Sequence, residues 1–299
     1  IFTMSPTRAN FLMLIASLIW GTAFVSQTTG MGTIGPFTFS FSRFFFATIA
    51  VLPVALYFEA NNFSKIFSNT KLFTLSIATG FFLFLGMGLQ QYALQVSQVS
   101  NVAFITTLYV PIVGIISRFV FKSQLHWIIW IAILLCMYGS YLLSSNQSVE
   151  IQKSDALIFI SAFCFAFHII LIDIFMKQFN SPFSYGSIQY FVVFILSLIL
   201  AFTLEEPTLK NISVEWFEIL YTGILSAGLG YTLQIIAQHK ASPAPAAIIL
   251  SMEGVFATIA AWLLINQTLD LNKIIGCVAI FFGVIIVQLL PIIKKTYDK

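Results

Sequence analysis

Charged side chains are scarce in this sequence. They make up 8% of its 299 residues, whereas about a quarter of the residues in a soluble globular protein are charged. Hydrophobic residues account for 59%, and the mean hydropathy is +0.95. This composition excludes a soluble globular fold and predicts an integral membrane protein. The net charge of +3 is spread over short loops with no basic patch, so we expect no nucleic-acid partner.

Cysteines and the common catalytic motifs are also few. Cys136, Cys164 and Cys277 each lie inside an apolar run, and an odd, scattered set predicts neither a disulfide framework nor a metal site. Cys164 and His168 stand four residues apart, but no third or fourth ligand accompanies them. The Gly-x-x-x-x-Gly-Lys-Ser/Thr motif of nucleotide-driven pumps does not occur. We therefore expect no enzyme activity, no cofactor and no bound metal.

Long apolar runs fill most of the chain. About ten of them have roughly 18 to 24 residues, the length at which a helix crosses the hydrocarbon core of a bilayer. The longest polar linkers, around residues 145–153 and 206–215, are too short for a soluble domain. We therefore predict an all-α membrane protein with spans near Phe11–Thr28, Pro36–Phe58, Lys71–Leu94, Asn101–Phe121, His126–Ser144, Ser154–Met176, Pro182–Glu205, Trp216–Gln238, Ala244–Ile265 and Leu271–Leu290.

Lysine and arginine are distributed unevenly over the loops. If the amino terminus is cytoplasmic, the basic residues on the inner side outnumber those on the outer side, as the positive-inside rule requires. An even number of spans then places both termini in the cytoplasm. The inner set is Arg8, Lys65, Lys71, Lys122, Lys177, Lys240, Lys294, Lys295 and Lys299, and the outer set is Lys153, Lys210 and Lys273.

The two halves of the chain are similar to each other. A shift of 143 residues aligns Gly80 with Gly223, Gln91 with Gln234 and Gln95 with Gln238, and it also matches spans with spans and loops with loops. Because each half has an odd number of spans, the second half must cross the membrane in the opposite sense. We predict two inverted five-helix repeats, residues 11–144 and 154–290, with a substrate site near the midplane between them.

Several residues carry a family resemblance: Trp20-Gly21, Arg43, Pro111 and the stretch Met252-Glu253-Gly254-Val255-Phe256-Ala257. Together they resemble the EamA type of the drug/metabolite transporter superfamily. In that family the last stretch usually contains Glu-Pro-Val-Phe-Ala, and Gly254 replaces its proline here. Gln124 and Gln267 stand where each half usually has a glutamate. The resemblance implies a transporter of small metabolites in the cytoplasmic (inner) membrane.

Glu253 is the main site candidate. It is the one ionisable residue in the apolar run from Pro245 to Ile265, and a charged group near the bilayer centre costs roughly 3 kcal/mol on insertion scales. Two interpretations remain open. Glu253 is either a proton-coupling site or counter-charge for a substrate amine, or it is a buried carboxylate that holds the two halves together.

Other polar and aromatic residues within the spans are further candidates, each with two readings. Arg43 is a carboxylate or phosphate clamp, or it snorkels to the outer interface. His168 relays protons or stacks against a substrate, or it is satisfied by a neighbouring helix. Gln91 and Gln234 line a polar path, or they tie helices together. Trp20 and Tyr109 are expected to face the same cavity.

Prolines interrupt two of the predicted spans. Pro111 removes a backbone donor in the middle of span 4, and Pro243 and Pro245 break the entry to span 9. A kink of this kind can act as a hinge in alternating access.

The sequence therefore predicts a secondary transporter that moves a small zwitterionic or cationic metabolite, of amino-acid or amine type, with proton-coupled export as the expected direction. Its partners would be the lipid bilayer, the substrate and protons, and the chain would act as a monomer or homodimer. Two alternatives stay open. One is an importer or exchanger of nucleoside-like or aromatic metabolites, and the other is a membrane accessory protein without transport.

Overall fold

A computed structural model describes residues 4–97, 99–144 and 153–297 of the chain. Within these ranges the regular structure is entirely helical, which confirms the all-α prediction. Ten stretches are long and apolar enough to cross a membrane, in agreement with the predicted number. They are numbered spans 1 to 10: Pro6–Thr29, Pro36–Phe58, Thr70–Val96, Val102–Phe119, Trp127–Ser144, Ser154–Gln178, Pro182–Leu204, Trp216–Gln238, Pro243–Ile265 and Leu271–Leu289.

Three spans are built from more than one helix. Span 4 belongs to helices Val99–Thr107 and Tyr109–Phe119, and span 9 consists of Pro243–Leu250 and Met252–Ile265. Span 8 contains Trp216–Leu220, a π-helix at Tyr221–Gly230 and Tyr231–Gln238. Each remaining span lies within one helix, of which the sixth covers Lys153–Gln178 and the last Leu271–Tyr297. The short helices Ala60–Ser68 and Leu209–Val214 lie in connections.

The spans pack in a symmetric pattern. Span 2 lies along span 7, and span 5 lies along span 10. Span 1 packs against spans 8 and 9, and its counterpart in the second half, span 6, packs against spans 3 and 4. Exchanging the two halves converts each of these packed pairs into itself or into another of them, which supports the duplication inferred from the sequence. The boundaries at residues 11–144 and 154–290 stay a prediction.

The interruptions of spans 4 and 9 occupy equivalent places. Span 4 breaks at Leu108 and span 9 at Ser251, and these residues are related by the shift of 143 that aligns the halves. Their backbone angles are nearly the same, with φ −60° and ψ −12° at Leu108 and φ −61° and ψ −12° at Ser251. In span 4 the break precedes Pro111, which has no N–H to offer the carbonyl of Thr107. Span 9 breaks without a proline at the corresponding Gly254.

Two glutamates join spans 2 and 7 at their opposite ends. Glu205, which follows span 7, accepts hydrogen bonds from the backbone N–H groups of Phe37 and Thr38 at 2.9 and 2.8 Å, and from the Thr38 hydroxyl at 2.6 Å. Glu59, which follows span 2, accepts from the N–H groups of Phe183 and Ser184 at 3.4 and 2.8 Å. Each carboxylate thus satisfies free donors at the start of the other helix and lies at the positive end of its dipole.

Spans 5 and 10 cross at two glycines. A β-carbon on Gly139 would stand 2.5 Å from the carbonyl oxygen of Gly276, and one on Gly276 would stand 2.6 Å from that of Gly139. No side chain fits at either position unless the helices separate, so the small residues allow the backbones to touch.

Replacing Glu205 with glutamine should destabilise the protein, because the start of span 2 loses charge-assisted hydrogen bonds. We expect the free energy of unfolding to fall by about 1–3 kcal/mol, measured by thermal or denaturant unfolding in detergent. Glu206→Gln is the matched control, since the neighbouring Glu206 is exposed. Equal stability of the two variants would contradict the capping role.

Replacing Gly139 with alanine should separate spans 5 and 10. The expected loss is about 1–3 kcal/mol, the usual cost of overpacking, read as a lower unfolding temperature. Gly88→Ala serves as the control, because a β-carbon there meets its nearest neighbour, Phe37, at 3.5 Å. A Gly139→Ala protein as stable as the Gly88→Ala protein would show that the crossing is not tight.

Candidate functional site

A small cavity lies between the two halves, at the level of the interrupted helices. Its volume is about 50 Å³, enough for water but far below the 300–1,000 Å³ of a typical small-molecule site. In the present conformation the site is therefore too small for a solute of that kind. The lining residues are Trp20, Phe24, Gln27, Met87, Gln90, Thr106, Tyr109, Phe165, His168, Ile169, Ser226, Tyr231, Gln234, Leu250 and Glu253.

Five of the residues that the sequence nominates line this cavity. They are Trp20, Tyr109, His168, Gln234 and Glu253, and they come from five different spans. Arg43 and Gln91, the other two nominated residues, are buried elsewhere. The lining set also includes Tyr231, Gln27 and Gln90, which sequence reasoning missed.

Glu253 lies in the first turn of the helix that follows the break in span 9. Its side chain is surrounded by protein yet keeps some accessible surface, because it faces the cavity. Tyr109 lines the same cavity, and the positive end of the helix dipole favours a negative charge at Glu253. No lysine or arginine is among the described residues that line the cavity. The carboxylate therefore meets the cavity without a cationic partner.

Aromatic rings form one wall of the cavity. The rings of Trp20 and Tyr231 have their centroids 4.7 Å apart, and the His168 ring meets Tyr231 edge-on at 5.7 Å. The Trp20 indole donates from Nε1 to the carbonyl oxygen of Ser226 at 3.1 Å. Gly230 makes this possible, since a β-carbon at that position would lie 2.6 Å from the indole nitrogen. The wall thus offers π-faces at fixed positions.

A chain of amides points a free acceptor at the cavity. Gln238 donates to the carbonyl oxygen of Ile169 at 3.0 Å, and Gln234 donates to the Gln238 side-chain oxygen at 2.8 Å. Because the backbone carbonyl can only accept, it fixes the orientation of both amides. Among the described residues, the buried side-chain oxygen of Gln234 has no partner, and neither has that of Gln27. Both residues line the cavity, so its wall has two amide acceptors without a donor.

Gln91 lies behind the cavity wall. It is fully buried and donates to the backbone oxygen of Gln27 at 3.2 Å and to the Met31 sulfur at 3.0 Å. Its neighbour Gln90 lines the cavity instead, held by a 3.1 Å bond to the Thr106 hydroxyl. The interhelical bonds of Gln91 match the reading in which this residue ties helices together.

His168 lines the cavity and is also held from behind. Its Nε2 is 3.0 Å from the side-chain oxygen of Gln189 in span 7. The ring is therefore fixed in orientation while one face contacts Tyr231. The bond to Gln189 satisfies His168 from a neighbouring helix, and a role in proton relay or substrate stacking stays a prediction.

Arg43 is buried, with 1% of its surface exposed. This contradicts the alternative in which the side chain snorkels to the outer interface. Its guanidinium carbon lies 5.5 Å from the ring centroid of Phe39 and 5.2 Å from that of Phe44. Arginine 43 does not reach the cavity, although Tyr231, which does, is within its electrostatic range.

The predicted hinge prolines occupy different positions. Pro111 is the third residue of helix Tyr109–Phe119, directly after the break in span 4. Pro243 and Pro245 begin helix Pro243–Leu250, where a proline costs little because the first N–H groups are free in any case. The break in span 9 lies further along, at Ser251. The hinge role of these prolines stays a prediction.

Comparison with known proteins gives a consistent picture. The model of the EamA-like transporter family matches residues 7–145 and 152–289, once in each half. An uncharacterised transporter from Archaeoglobus fulgidus is 29% identical over 282 residues, covering 94% of this chain and 86% of that protein. An S-adenosylmethionine uptake transporter from Rickettsia bellii is 24% identical over 271 residues, covering 89% and 88%. A crystal structure with 15% sequence identity has the same fold, with a TM-score of 0.81 over 96% of this chain and 98% of that chain.

Replacing Gln238 with leucine should leave the donor of Gln234 without its partner. The expected cost is about 1–3 kcal/mol, because a buried polar group is left unpaired, and it should appear as a lower free energy of unfolding. The double variant Gln234→Leu/Gln238→Leu should lose less than the sum of the two single variants. Simple additivity would mean that the two amides do not act as a chain.

Proposed function

Because the chain belongs to the EamA-like transporter family of the drug/metabolite transporter superfamily, we propose that it is a secondary transporter of a small zwitterionic or cationic metabolite, of amino-acid or amine type. The family consists of transporters, so we set aside the functions of an enzyme and of an accessory protein without transport. The chain is a multi-pass membrane protein with ten apolar spans. The proposal adds the substrate class, the mechanism and the residues.

The observation that carries the substrate class is Glu253 facing a cavity in whose wall the described residues include no lysine or arginine. A carboxylate in such a place is expensive unless a cation joins it. A substrate ammonium group would supply the missing charge and donate hydrogen bonds at the same time. Glu253 is therefore the ionic anchor.

The rest of the wall is suited to the same kind of solute. The free side-chain oxygen of Gln234 accepts a hydrogen bond from an N–H donor. The faces of Trp20 and Tyr231 attract a cation or an aromatic group, with a gain of about 0.5–2 kcal/mol for a desolvated cation. Tyr109 and His168 complete the site as hydrogen-bonding groups beside the anchor.

Transport would proceed by alternating access. The small cavity must widen to admit a solute, and the matching breaks at Leu108 and Ser251 give each half a point at which a span can bend. Bending one span opens the site to one side of the membrane while the other half keeps it sealed. Pro111, Pro243 and Pro245 are the proposed hinge residues.

Coupling and orientation complete the proposal. Glu253 would exchange a proton for the substrate, which drives export across the cytoplasmic (inner) membrane. Both termini would face the cytoplasm, as the distribution of lysine and arginine favours. The site lies within one chain, so a monomer suffices, and a homodimer would contain two independent sites.

One alternative substrate class has its own support. The relative from Rickettsia bellii bears the name S-adenosylmethionine uptake transporter, and Trp20 and Tyr231 form a tilted aromatic pair at 4.7 Å. An importer or exchanger of nucleoside-like or aromatic metabolites would use these rings for stacking. In that case transport would depend on Trp20 more strongly than on Glu253.

Replacing Glu253 with glutamine is the decisive experiment. The purified protein is placed in liposomes, and counterflow of labelled amino acids and amines is measured with and without a pH gradient. We expect Glu253→Gln to lower transport by about tenfold or more, since a lost ion pair in a dry site is worth at least 1.4 kcal/mol. The pH gradient should no longer drive accumulation.

The matched control is Asp173→Asn. Asp173 is also a carboxylate within a span, but it pairs with Lys177 at 2.8 Å and does not line the cavity. It should retain transport. Unchanged transport by Glu253→Gln at every pH would refute the anchor, and a larger loss from Trp20→Ala would favour the aromatic alternative.

A further inference from the structure

Arg43 is the most unusual buried group outside the cavity. Its side chain is 1% exposed, and its Nε and Nη2 atoms have no hydrogen-bond partner among the described residues. The salt bridge found in the described part of the chain joins Lys177 and Asp173, so Arg43 has no carboxylate partner there. Two aromatic rings at 5.2 and 5.5 Å give its charge cation–π support but leave these N–H groups without acceptors.

Such an arrangement is costly, because a guanidinium carries five N–H donors and a permanent charge. A structural arginine in a helical bundle normally donates hydrogen bonds to backbone oxygens or to a carboxylate. Arg43 does neither, although the fork of its guanidinium matches a carboxylate well. Its Nε and Nη2 groups are therefore available to an oxyanion, which the described part of the protein does not supply.

Tyr231 connects this arginine to the cavity. It lines the cavity, and both Arg43 and Glu253 lie within electrostatic range of its hydroxyl. A sequence of ring contacts runs the same way, from Phe44 to Tyr190 at 6.3 Å and from Tyr190 to Tyr231 at 6.5 Å. Tyr231 is thus a cavity residue that interacts electrostatically with both Arg43 and Glu253.

We propose that Arg43 is a latent subsite for the carboxylate of the substrate, which it reaches when Tyr231 moves aside. The inference rests on the proposed function and narrows it: the solute is a zwitterion with an ammonium group on Glu253 and a carboxylate on Arg43. A cation without a carboxylate uses only the first of these partners.

The chain next to Tyr231 is built to allow this movement. Tyr231 directly follows the π-helix Tyr221–Gly230, which packs against span 2, the span that carries Arg43. π-Helical segments are rare in proteins, but those that occur are frequently found at functional sites. Tightening the segment toward α-helix turns the residues after it about the axis, so the Tyr231 ring leaves its place and the wall opens.

The first test needs no transport assay. Without substrate, Arg43→Met removes an unpaired buried charge while keeping a long side chain, so the unfolding temperature in detergent should rise. Arg43→Lys, which keeps the charge but loses the fork, should not rise in this way. Arg118→Met, at an exposed position, is the control and should leave the unfolding temperature near that of the parent.

The second test compares solutes that differ by one carboxylate. Counterflow in liposomes is measured with the standard amino acids and with the amines formed from them by decarboxylation. The parent protein should move at least one amino acid about tenfold or more faster than its amine. Arg43→Met should lose this preference by slowing the amino acid, with the amine unchanged.

The outcomes separate this inference from the proposed function. If Arg43→Met lowers the unfolding temperature, or if amines move as well as amino acids in both proteins, the carboxylate subsite is refuted and the amine transporter stands. If neither solute class moves in the parent protein, the proposed function itself is refuted. A loss of amino-acid transport together with a gain in stability is the result we expect.

Discussion

Two glutamates hold the ends of the bundle by one interaction, a carboxylate that accepts free N–H groups at the start of a neighbouring helix. Glu205 does this for span 2 and Glu59 for span 7. Because water is scarce in the bundle, each free donor must find an internal partner. Glu253 is also a carboxylate that needs partners, but it lies deep inside the bundle with a tyrosine nearby. No lysine or arginine is among the described residues of the cavity wall. The two glutamates at the helix ends thus have hydrogen-bond donors beside them, whereas Glu253 at the centre has no cationic partner among the described residues of the cavity wall.

The repeat makes this contrast sharper. A shift of 143 residues pairs Glu253 with the neutral Val110. Spans 2 and 7 begin at Pro36 and Pro182, and counting from these two starts pairs Arg43 with Gln189. Gln189 has partners in His168 and in the backbone oxygen of Tyr185, whereas Arg43 has unpaired donors. Each charge is therefore present in one half only. Symmetric packing is thus combined with buried charges that differ between the two halves.

The sequence predicted the spans within a few residues because apolar length and flanking polar residues are enough to locate a membrane helix. It also nominated Glu253, because a lone charge in an apolar run needs no structural knowledge to be noticed. Facing was harder. Gln91 was nominated as the counterpart of Gln234, yet Gln90 lines the cavity. One residue is about 100° of rotation on an α-helix.

The physical reason lies in span 8. Its π-helix, Tyr221–Gly230, has i to i+5 hydrogen bonding, which changes the rotation per residue. Residues after it are therefore turned about the helix axis relative to those before it, so Gln234 and its counterpart Gln91 face differently. Tyr231 lies three residues before Gln234 in the regular helix Tyr231–Gln238, so ordinary helical spacing from Gln234 was the signal that could have found it. Periodicity gives the face of an unbroken helix, but a local change of helix type has no clear sequence signal beyond the glycines at 223, 228 and 230.

The unsatisfied groups also suggest how binding could be linked to movement. A ligand shifts a conformational equilibrium only by the difference in its affinity for the two states. A solute that uses Glu253 alone gains no second ion pair when Tyr231 moves, so its binding energy does not favour that movement. A solute that also has a carboxylate gains its second ion pair only after the aromatic wall opens, so its binding energy favours the rearranged state. In this view the cost of leaving Arg43 unpaired in the closed state is what makes the rearrangement selective for a zwitterion.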